Sequence, residues 1–403
     1  MSAVKILAVH HGGGVGGAPV SLLKLLSRLD PTLFNPRAVF TEPGPILIYA
    51  TDLGVPAQIE PTGGAFFYSA HARLEPRSLA RFLRTFPATV KTARLTLRRE
   101  KPDLLHLNTS VLLAWAAAAR REHVPVIWMV REVLGPNPWL RRWHAAFITR
   151  HAHRVVTTSD VVRACFRSPG EANVERVYNA VDLTEFSPPS LAASAAARHD
   201  LGLSPDRQIV MAIGSVQRVK GHWLLLEALK HLPSVVDLVL VTGGVDASYA
   251  NSARGRIKRA LHLPLDNLDA LLRDAAERGL SDRLYVTGFR RDVARALSAA
   301  DVLAFPSLAA EGFGRPIIEA MALARPVVAT DVGPSAELLG PDAGRLVPPD
   351  PRLLAAALSD LLNSPETRRR MGQAGRARVE ACFSLDRQVD AMSAIYREAA
   401  AFG

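Results

Sequence analysis

The sequence predicts an α/β fold made of two open, parallel-sheet domains. With 403 residues the chain exceeds one ordinary hydrophobic core, which suggests two domains. Each half opens in the same order, with a buried strand, a glycine-containing loop and a helix, at residues 4–29 and 209–232. Residues 187–206, rich in Ser, Pro and Ala, separate the two halves and are typical of a linker.

Composition narrows the class of protein. The chain is 48% hydrophobic and 22% charged, as in globular proteins, and its longest purely apolar run, residues 111–119, falls well short of the ~20 residues that span a bilayer. The N-terminal sequence does not have the pattern of a signal peptide. Cys165 and Cys382 lie far apart and show no metal-ligand spacing. These features predict a reducing, cytoplasmic setting and no metal site.

The positive charge is concentrated in the first half. Residues 1–185 carry 23 Lys and Arg against 14 Asp and Glu, whereas residues 186–403 carry 26 against 24. Such an excess suggests an anionic partner, either a membrane surface, a nucleic acid or a phosphorylated substrate. No nucleic-acid-binding motif accompanies the basic residues, so we do not expect nucleic acid to be the partner.

Two basic segments of the first half favour a surface role. Residues 78–101 form an amphipathic helical pattern that Pro87 breaks or kinks. Residues 139–154 combine Trp and Arg in a second such segment. A helix on an anionic membrane surface and an ordinary helix with a solvated basic face both fit the first pattern, and both alternatives stay open.

Strand ends of the first half carry polar residues. Strand 4–9 leads into a glycine loop at 10–20, the layout of a phosphate cradle, but no P-loop or dinucleotide fingerprint is present. His106 lies just inside the end of a later strand. It is either an acid–base group or a core histidine whose hydrogen bonds are satisfied. Arg131 ends another strand; it cannot act as a base near neutral pH but could position an acceptor phosphate or carboxylate.

The second half holds two stronger motifs. In the loop GSVQRVKG at residues 214–221, Arg218 and Lys220 can bind a diphosphate. Arg218 would donate two hydrogen bonds in a forked geometry, and Lys220 would act as a point charge. The stretch EGFGRPIIE at residues 311–319 follows a strand and enters a helix. Its glycines allow backbone amides to approach a ligand closely, although an ordinary strand–helix turn can also carry Gly and Glu.

These motifs resemble the nucleotide-sugar signature of retaining glycosyltransferases of family GT4, which have the GT-B fold. The resemblance implies two Rossmann-like, doubly wound domains facing a central cleft, with a C-terminal helix that crosses back to the first domain. The implied boundaries are an acceptor-side domain at 1–186, a linker at 187–206, a nucleotide-sugar domain at 207–383 and the crossing helix at 384–403.

The resemblance also implies roles for individual residues. Glu311, Arg218, Lys220 and His106 would be catalytic, with Glu311 beside the donor sugar. The donor-binding residues would be Gly16, Gly17, Gly312, Phe313, Gly314, Glu319 and Arg290, with Glu319 on the ribose. The chain departs from the family at Arg315, where an aliphatic residue is usual, and at Arg131, near which the family carries a second His.

The implied function is metal-independent, retaining transfer of a hexose-type sugar. The donor would be a UDP-, GDP- or ADP-sugar, and the acceptor a polysaccharide, a lipid-linked glycan or another glycan precursor. No separate cofactor is expected. The protein would be cytoplasmic, with peripheral contact at the inner face of the cell membrane as a further hypothesis. The alternative is a non-catalytic GT-B scaffold or glycan-binding subunit, since the second His is absent.

Overall fold

The protein folds as two compact units. A computed structural model describes residues 3–70, 74–166, 173–243 and 251–402. The first unit comprises residues 1–180, 310–313 and 383–403, and the second comprises residues 181–309 and 314–382. The first unit therefore ends six residues before the predicted boundary at 186. It also includes residues 310–313, which contain the first three residues of the EGFGRPIIE stretch.

The first unit is built on a seven-stranded, fully parallel sheet with the order β3-β2-β1-β4-β5-β6-β7. Its strands are β1 (Val4–His10), β2 (Phe34–Phe40), β3 (Ala57–Ile59), β4 (Leu104–Leu107), β5 (Val126–Val130), β6 (Arg154–Thr157) and β7 (Val174–Arg176). Its helices up to β7 are α1 (Gly17–Ser27), α2 (Ile46–Asp52), α3 (Pro76–Glu100), α4 (Leu113–Arg121), α5 (Pro138–His151) and α6 (Asp160–Arg163), the last followed by a 3-10 turn at Ala164–Phe166.

The second unit repeats this arrangement with six parallel strands, in the order β10-β9-β8-β11-β12-β13. The strands are β8 (Gln208–Ile213), β9 (Val236–Val241), β10 (Leu284–Val286), β11 (Val302–Phe305), β12 (Val327–Thr330) and β13 (Gly344–Val347). The helices are α7 (Leu191–Asp200), α8 (His222–Leu229), α9 (Ala253–Ala260), α10 (Asn267–Glu277), α11 (Val293–Ser298), α12 (Arg315–Ala322), α13 (Ser335–Leu339), α14 (Pro351–Leu362) and α15 (Pro365–Cys382). Two 3-10 turns lie at Arg218–Lys220 and Ser281–Arg283.

Both sheets are buried on both faces, which explains their continuous apolar strands. In β5 every residue is buried, and Trp128 at its centre is fully inaccessible. One face of the first sheet packs on a core that includes Trp115, and the other on a core that includes Phe34. The predicted α/β architecture with two parallel-sheet domains is confirmed.

Each sheet has one point where the strand order reverses. In the first unit it lies between β1 and β4, and in the second between β8 and β11. Loops that leave neighbouring strands in opposite directions open a crevice at the carboxyl end of the sheet, where ligands of open α/β folds bind. The topology therefore directs attention to the loops after these four strands.

The last helix, α16 (Leu385–Ala400), belongs to the first unit, so the predicted crossing back is confirmed. Tyr396 is fully buried in the same core as Phe34, with the two ring centroids 6.1 Å apart. The side-chain amide of Gln388 donates to the Tyr178 carbonyl at 2.8 Å. These contacts hold the C-terminus of the chain on the first sheet.

The segment predicted as a linker contains a helix. In α7 the Ser190 hydroxyl accepts from the amide of Ala193 at 3.1 Å, and the alanine-rich sequence that follows favours a helix. Arg198 then donates to the Ala299 carbonyl at 3.1 Å and to Asp301 at 2.8 Å. The sequence pattern missed α7 because only one of its residues, Ala197, is buried.

Residues 245–275, which the sequence left unassigned, are described from residue 251 onwards and contain α9 and most of α10. Within the described ranges, none of the helices has the length and apolar character needed to cross a bilayer. Cys165 and Cys382 are free thiols at intermediate exposure.

We expect Tyr396→Ala to lower the free energy of unfolding by about 3–5 kcal/mol, because it empties a fully buried aromatic site. Tyr396→Phe should cost about 1–2 kcal/mol, since it removes only the hydroxyl partner of His106. Asp390→Ala, on the exposed face of the same helix, is the control and should stay within about 0.5 kcal/mol. Urea denaturation measures all three, and equal effects at Tyr396 and Asp390 would contradict the docking of α16.

Candidate functional site

The loops after β8 and β11 are locked together by backbone contacts. Gly221 has φ +71°, and a Cβ atom at this position would lie only 1.8 Å from the Pro306 carbonyl oxygen. The amide of Leu308 donates to the Val219 carbonyl at 2.7 Å. Only glycine permits both the left-handed conformation and this approach. The loop with the predicted diphosphate clamp is therefore fixed against the β11 loop.

Both predicted clamp residues lie in this fixed loop, on the 3-10 turn Arg218–Lys220. The Lys220 side chain lies over Gly214, where a Cβ atom would come within 4.0 Å of Nζ. The Arg218 guanidinium carbon lies 4.1 Å from the centroid of the Trp223 ring, in cation–π geometry. Two cationic groups thus project from one short turn at the carboxyl end of β8.

The β11 loop leads into α12 through Gly314, which has φ +102°. Glu319, on the second turn of α12, is nearly buried, with 8% of its side chain exposed. Its Oε1 accepts from Arg315 Nε at 3.0 Å and from Arg315 Nη2 at 2.7 Å. Arg315, which departs from the family pattern, therefore holds the carboxylate predicted to bind the ribose.

Further predicted donor residues follow β10, the edge strand that pairs with β9. Arg290 donates to both carboxylate oxygens of Asp292, at 2.9 and 2.6 Å. Hydrogen bonding to that carboxylate raises the pKa of Arg290, and the same bond lowers the pKa of Asp292. Phe289 is 60% exposed beside Gly243, at the carboxyl end of β9. An exposed ring at this position offers a surface for a nucleobase to stack on.

In the first unit, α1 begins in the glycine loop. Gly16 is its N-cap and Gly17 its first residue, and no side chain caps the helix. The loop is held by Gly13, whose Cβ position would collide with the Glu42 carbonyl at 2.5 Å, and whose own carbonyl accepts from Ile46 at 3.1 Å. The predicted pair Gly16 and Gly17 thus lies at a helix N-terminus, where backbone amides and the helix dipole favour an anion.

A buried arginine organises the strand ends of the first unit. Arg131 Nε donates to Asn108 Oδ1 at 2.8 Å, and its Nη1 donates to Asn179 Oδ1. Asn108 in turn contacts His10 Nδ1 at 3.0 Å. Burial, followed by the charges of His11 and Arg131, holds the pKa of His10 well below its usual value. The guanidinium therefore donates to two side-chain amides, one of which also contacts a neutral imidazole.

Residues 310–313, which include Glu311, pack on the same strand ends. A Cβ atom at Gly312 would lie 1.7 Å from the Arg131 carbonyl oxygen. The Gly312 carbonyl accepts from Ser159 Oγ at 2.7 Å and from Thr158 Oγ1 at 3.2 Å. Phe313 is buried, with its ring 6.1 Å from that of Tyr178.

Sequence reasoning did not assign Thr158 and Ser159 to the site. The only signal was the polar run TTSD at the end of β6, interpreted there as a helix cap, and Ser159 does cap α6. The structure adds a second role to the same hydroxyl.

His106 lies within β4, close to the strand-end cluster but below it in the core. It is fully buried, and its Nδ1 forms a 2.5 Å hydrogen bond with the Tyr396 hydroxyl. Burial, and to a lesser extent the nearby charge of Arg131, lowers the pKa of His106 to about 3. A neutral imidazole bonded to a helix of the core has the features of a structural histidine, the second of the two roles open from sequence.

Glu311 and Glu319, eight residues apart in sequence, belong to different units. Glu311 is on the segment that packs against the Arg131 carbonyl, and Glu319 is on α12. Among the described residues, no group of three or more His, Cys, Asp or Glu side chains is arranged to hold a metal ion.

Two family models cover most of the chain. Residues 15–185 match "Glycosyltransferase Family 4", and residues 194–378 match "Glycosyl transferases group 1". The chain belongs to the GT4-type glycosyltransferases. The family inferred from the EGFGRPIIE and GSVQRVKG motifs is thereby confirmed.

Curated relatives agree with this family. D-inositol 3-phosphate glycosyltransferase of Mycolicibacterium vanbaalenii is 36% identical over 237 residues, which are 57% of this chain and 49% of the relative. The protein of that name from Xylanimonas cellulosilytica is 34% identical over 263 residues, 61% of this chain and 58% of the relative. The chain thus spans about half the length of the curated relatives it matches.

Solved structures that are similar to this chain show the same fold. HepE of Anabaena, solved with UDP and glucose, matches with a TM-score of 0.78 at 20% identity, covering 97% of this chain and 99% of that one. Sucrose-phosphate synthase of Thermosynechococcus elongatus matches with a TM-score of 0.72 at 22% identity, covering 99% and 100%. The predicted GT-B fold is confirmed.

We expect Gly221→Ala to destabilise the second unit far more than Gly202→Ala. Both glycines have φ near +70°, but a Cβ atom at Gly202 meets nothing within 4 Å, whereas one at Gly221 meets the Pro306 carbonyl. The strain of the left-handed conformation, about 1 kcal/mol, is common to both variants. Denaturation curves report the difference, and equal losses would show that the contact with Pro306 does not fix the loop.

We expect the protein to lose stability as pH falls from 7 to 5. Burial lowers the pKa of His144 to about 4, below the unfolded value near 6.5, so the unfolded chain binds the proton first. His144 alone then removes about 2 kcal/mol at pH 5. His144→Gln, which keeps a donor for the Ser110 carbonyl, should flatten the pH dependence, whereas the exposed His199→Gln should not. Identical slopes for the two variants would contradict a buried, neutral His144.

Proposed function

We propose that this protein transfers a hexose-type sugar from a nucleotide-diphosphate sugar to a glycan-type acceptor, with retention of configuration and without a metal ion. The observation that carries the proposal is the fixed loop pair after β8 and β11 in the second unit. It presents Arg218 and Lys220 at the point where the strand order reverses. Membership of the GT4-type family supports the reaction class.

The second unit has the groups that a nucleotide diphosphate requires. Departure of the diphosphate develops negative charge, which Arg218 and Lys220 would stabilise as positioned cations. Because the loop is already held by the Gly221 contact, these charges need little reorganisation to meet the phosphates. Phe289 offers a stacking surface for the base, and Glu319 a carboxylate for the ribose hydroxyls.

The proposed ribose site differs from the family pattern at Arg315. Arg315 already occupies Oε1 of Glu319 with two hydrogen bonds. Oε2 then remains the better acceptor for a ribose hydroxyl, and Arg315 fixes the orientation of the carboxylate. We therefore assign Arg315 a positioning role in donor binding.

In the first unit we assign Glu311 a role at the transferred sugar. We assign the N-terminus of α1, at Gly16 and Gly17, a role in binding the diphosphate. In the retaining reaction we favour, the acceptor hydroxyl attacks the anomeric carbon on the face that the diphosphate leaves. The C–O bond to the diphosphate breaks as the new glycosidic bond forms, and the leaving phosphate oxygen takes the hydroxyl proton.

A UDP-sugar is the donor we favour, since HepE, a structural neighbour, was solved with UDP-glucose. For the acceptor, the matched relatives carry the name D-inositol 3-phosphate glycosyltransferase, which supports a phosphorylated polyol as an alternative to a glycan. We also propose a cytoplasmic setting, which the two free thiols support.

The second candidate function is a non-catalytic GT-B scaffold or glycan-binding subunit. One observation favours it: Arg131 takes the strand end near which the family carries a second His, and His106 is buried against Tyr396. Neither group can then exchange protons with an acceptor near neutral pH. The two candidates differ in whether a bound donor is turned over.

We expect Lys220→Ala and Arg218→Ala each to lower kcat/KM for the donor by about a hundredfold or more, because each removes a cation that stabilises the leaving diphosphate. Arg352→Ala, an exposed arginine of the same unit, is the charge-matched control and should change little. The effect is measured as donor turnover with a panel of UDP-, GDP- and ADP-sugars, and release of the nucleoside diphosphate is the readout. Wild-type activity in both variants would refute the assignment.

Glu319→Gln separates binding from chemistry. It should raise KM for the donor by about tenfold with a small change in kcat, since a ribose contact is equal in the ground and transition states. Nucleotide binding without turnover of any donor in the wild-type protein would favour the scaffold over the transferase.

A further inference from the structure

A cluster of three polar side chains lies at the carboxyl end of the first sheet, beside the point where its strand order reverses. His11 follows β1, Thr109 follows β4 and Glu132 follows β5. His11 Nδ1 forms a 3.1 Å hydrogen bond with Thr109 Oγ1. Glu132 Oε2 accepts from the backbone amide of Ser110 at 3.0 Å, so its carboxylate reaches the loop that carries Thr109. Three neighbouring loops thus bring an imidazole, a hydroxyl and a carboxylate together.

Backbone contacts hold the loops that carry this cluster. In the β1 loop, the amide of Gly12 donates to Thr41 Oγ1 at 3.2 Å, which ties this loop to the residue after β2. Glu132 Oε2 also accepts from the amide of Arg131 at 3.3 Å, so two backbone donors fix the orientation of the carboxylate. Thr109 is fully buried. The cluster is therefore preorganised, and a ligand would have to order little of it on binding.

Two polar atoms of the cluster are open to solvent. His11 and Glu132 are both half-buried. Within the described ranges, no hydrogen bond or ion pair involves His11 Nε2 or Glu132 Oε1, and neither atom is fully buried. A hydroxyl group can donate to the carboxylate oxygen, and it can donate to or accept from the imidazole nitrogen. The two atoms therefore fit a ligand that carries hydroxyl groups.

An exposed aromatic ring lies beside His11. Phe67 is 45% exposed, and its ring centroid lies 5.5 Å from that of His11 in an edge geometry. Sugar and cyclitol rings present apolar C–H groups on their faces and hydroxyl groups at their edges. Such rings fit a site that combines one aromatic side chain with a few polar atoms.

The charges around His11 disfavour a phosphate group. Burial lowers the pKa of His11, and the carboxylates of Glu132 and Glu42 oppose this shift, so the imidazole is neutral near pH 7. Among the described residues, these two carboxylates are the charges that act on the imidazole. Arg131 is only 8% exposed, and its guanidinium donates to two asparagine side chains. A phosphate bound at His11 would therefore be repelled by the carboxylates.

The cluster also lies against the segment that carries Glu311. A Cβ atom at Gly312 would lie only 3.4 Å from the backbone nitrogen of Glu132. Glu311 is the residue that we assign to the transferred sugar. A ring held at Glu132 is therefore close to the place where the transferred sugar would be bound.

We propose that His11 and Glu132 bind the acceptor through two hydroxyls of an unphosphorylated sugar or cyclitol ring. Glu132 Oε1 accepts from one hydroxyl, His11 Nε2 bonds to another, and Phe67 packs on a C–H face of the ring. The role as acceptor site rests on the proposed sugar transfer. The pair selects an acceptor whose attacked ring is uncharged, which favours a glycan over the phosphorylated polyol that the relatives' name supports.

Titration of the full chain by saturation-transfer NMR tests the ligand class. The probes are myo-inositol and glucose, each compared with a phosphate ester, inositol 3-phosphate and glucose 6-phosphate. The unphosphorylated probes should bind about tenfold more tightly, because the carboxylates repel the phosphate. Their affinity should change by less than about twofold when salt is raised from 0.05 to about 0.5 M, since their binding forms no ion pair.

Matched variants locate the site. Glu132→Gln keeps an acceptor for the two backbone amides but removes the charged oxygen, so it should weaken sugar binding about tenfold and abolish the discrimination against phosphates. Glu75→Gln removes an exposed carboxylate at the N-cap of α3 and should change neither property. His11→Ala should weaken sugar binding about fivefold, through the loss of one neutral hydrogen bond. His199→Ala, at a side chain that is 92% exposed, is its control.

Thr109→Val tests the orientation of His11. It removes the hydroxyl that holds Nδ1, so sugar binding should weaken about threefold, a fraction of one hydrogen bond. Combined with His11→Ala it should have no further effect, because Thr109 acts on the ligand only through His11. Thermal melting followed by circular dichroism checks that every variant is folded at the temperature of the titration.

Sugar transfer separates this inference from the proposed function. With the donor that the panel of nucleotide sugars identifies, Glu132→Gln should raise KM for glucose or myo-inositol and leave hydrolysis of the donor by water unchanged. If the probes bind as described but no donor is bound or turned over, the proposed function fails and a sugar-binding site without an acceptor role remains. The inference is overturned if neither unphosphorylated probe binds, if the phosphates bind as tightly, or if Glu132→Gln binds the sugars like the wild type.

Discussion

The contact between Gly221 and the Pro306 carbonyl is the constraint on which the candidate donor site depends. It joins the loops that leave β8 and β11, the two strands at which the order of the second sheet reverses. Together with the hydrogen bond from Leu308 to the Val219 carbonyl, it keeps Arg218 and Lys220 close to the β11 loop. A fixed pair of cations is more effective on a developing charge than a mobile pair, because no ordering has to accompany the reaction.

The first unit uses the same device with different residues. Gly312 packs on the Arg131 carbonyl, and Ser159 and Thr158 hold the Gly312 carbonyl from the other side. In both units a glycine allows one backbone to approach another more closely than any side chain would permit. The glycines of the two motifs thus have a structural function in addition to the amide contacts with a ligand that the family resemblance implies.

Sequence reasoning succeeded where a local pattern determines structure. The buried strands, the glycine loops and the two signature motifs are each read from contiguous residues, and the two-domain α/β fold follows from their repetition. It failed at α7, whose single buried residue leaves almost no hydrophobic period to detect. It also treated α3 as one uniform basic helix, because the acid that neutralises Arg94 and Arg98 is Glu122, which is distant in sequence.

The sequence by itself determined the family, the two parallel sheets and the cationic loop at Arg218 and Lys220, because these depend on short-range pattern and residue type. Only the tertiary structure decided the environment of His106, which faces Tyr396 from the far end of the chain. It likewise decided that Arg315 holds Glu319 and that Arg131 donates to the side-chain amides of Asn108 and Asn179. The physical reason is that burial and charge pairing depend on neighbours that the fold brings together, and a local motif does not specify them.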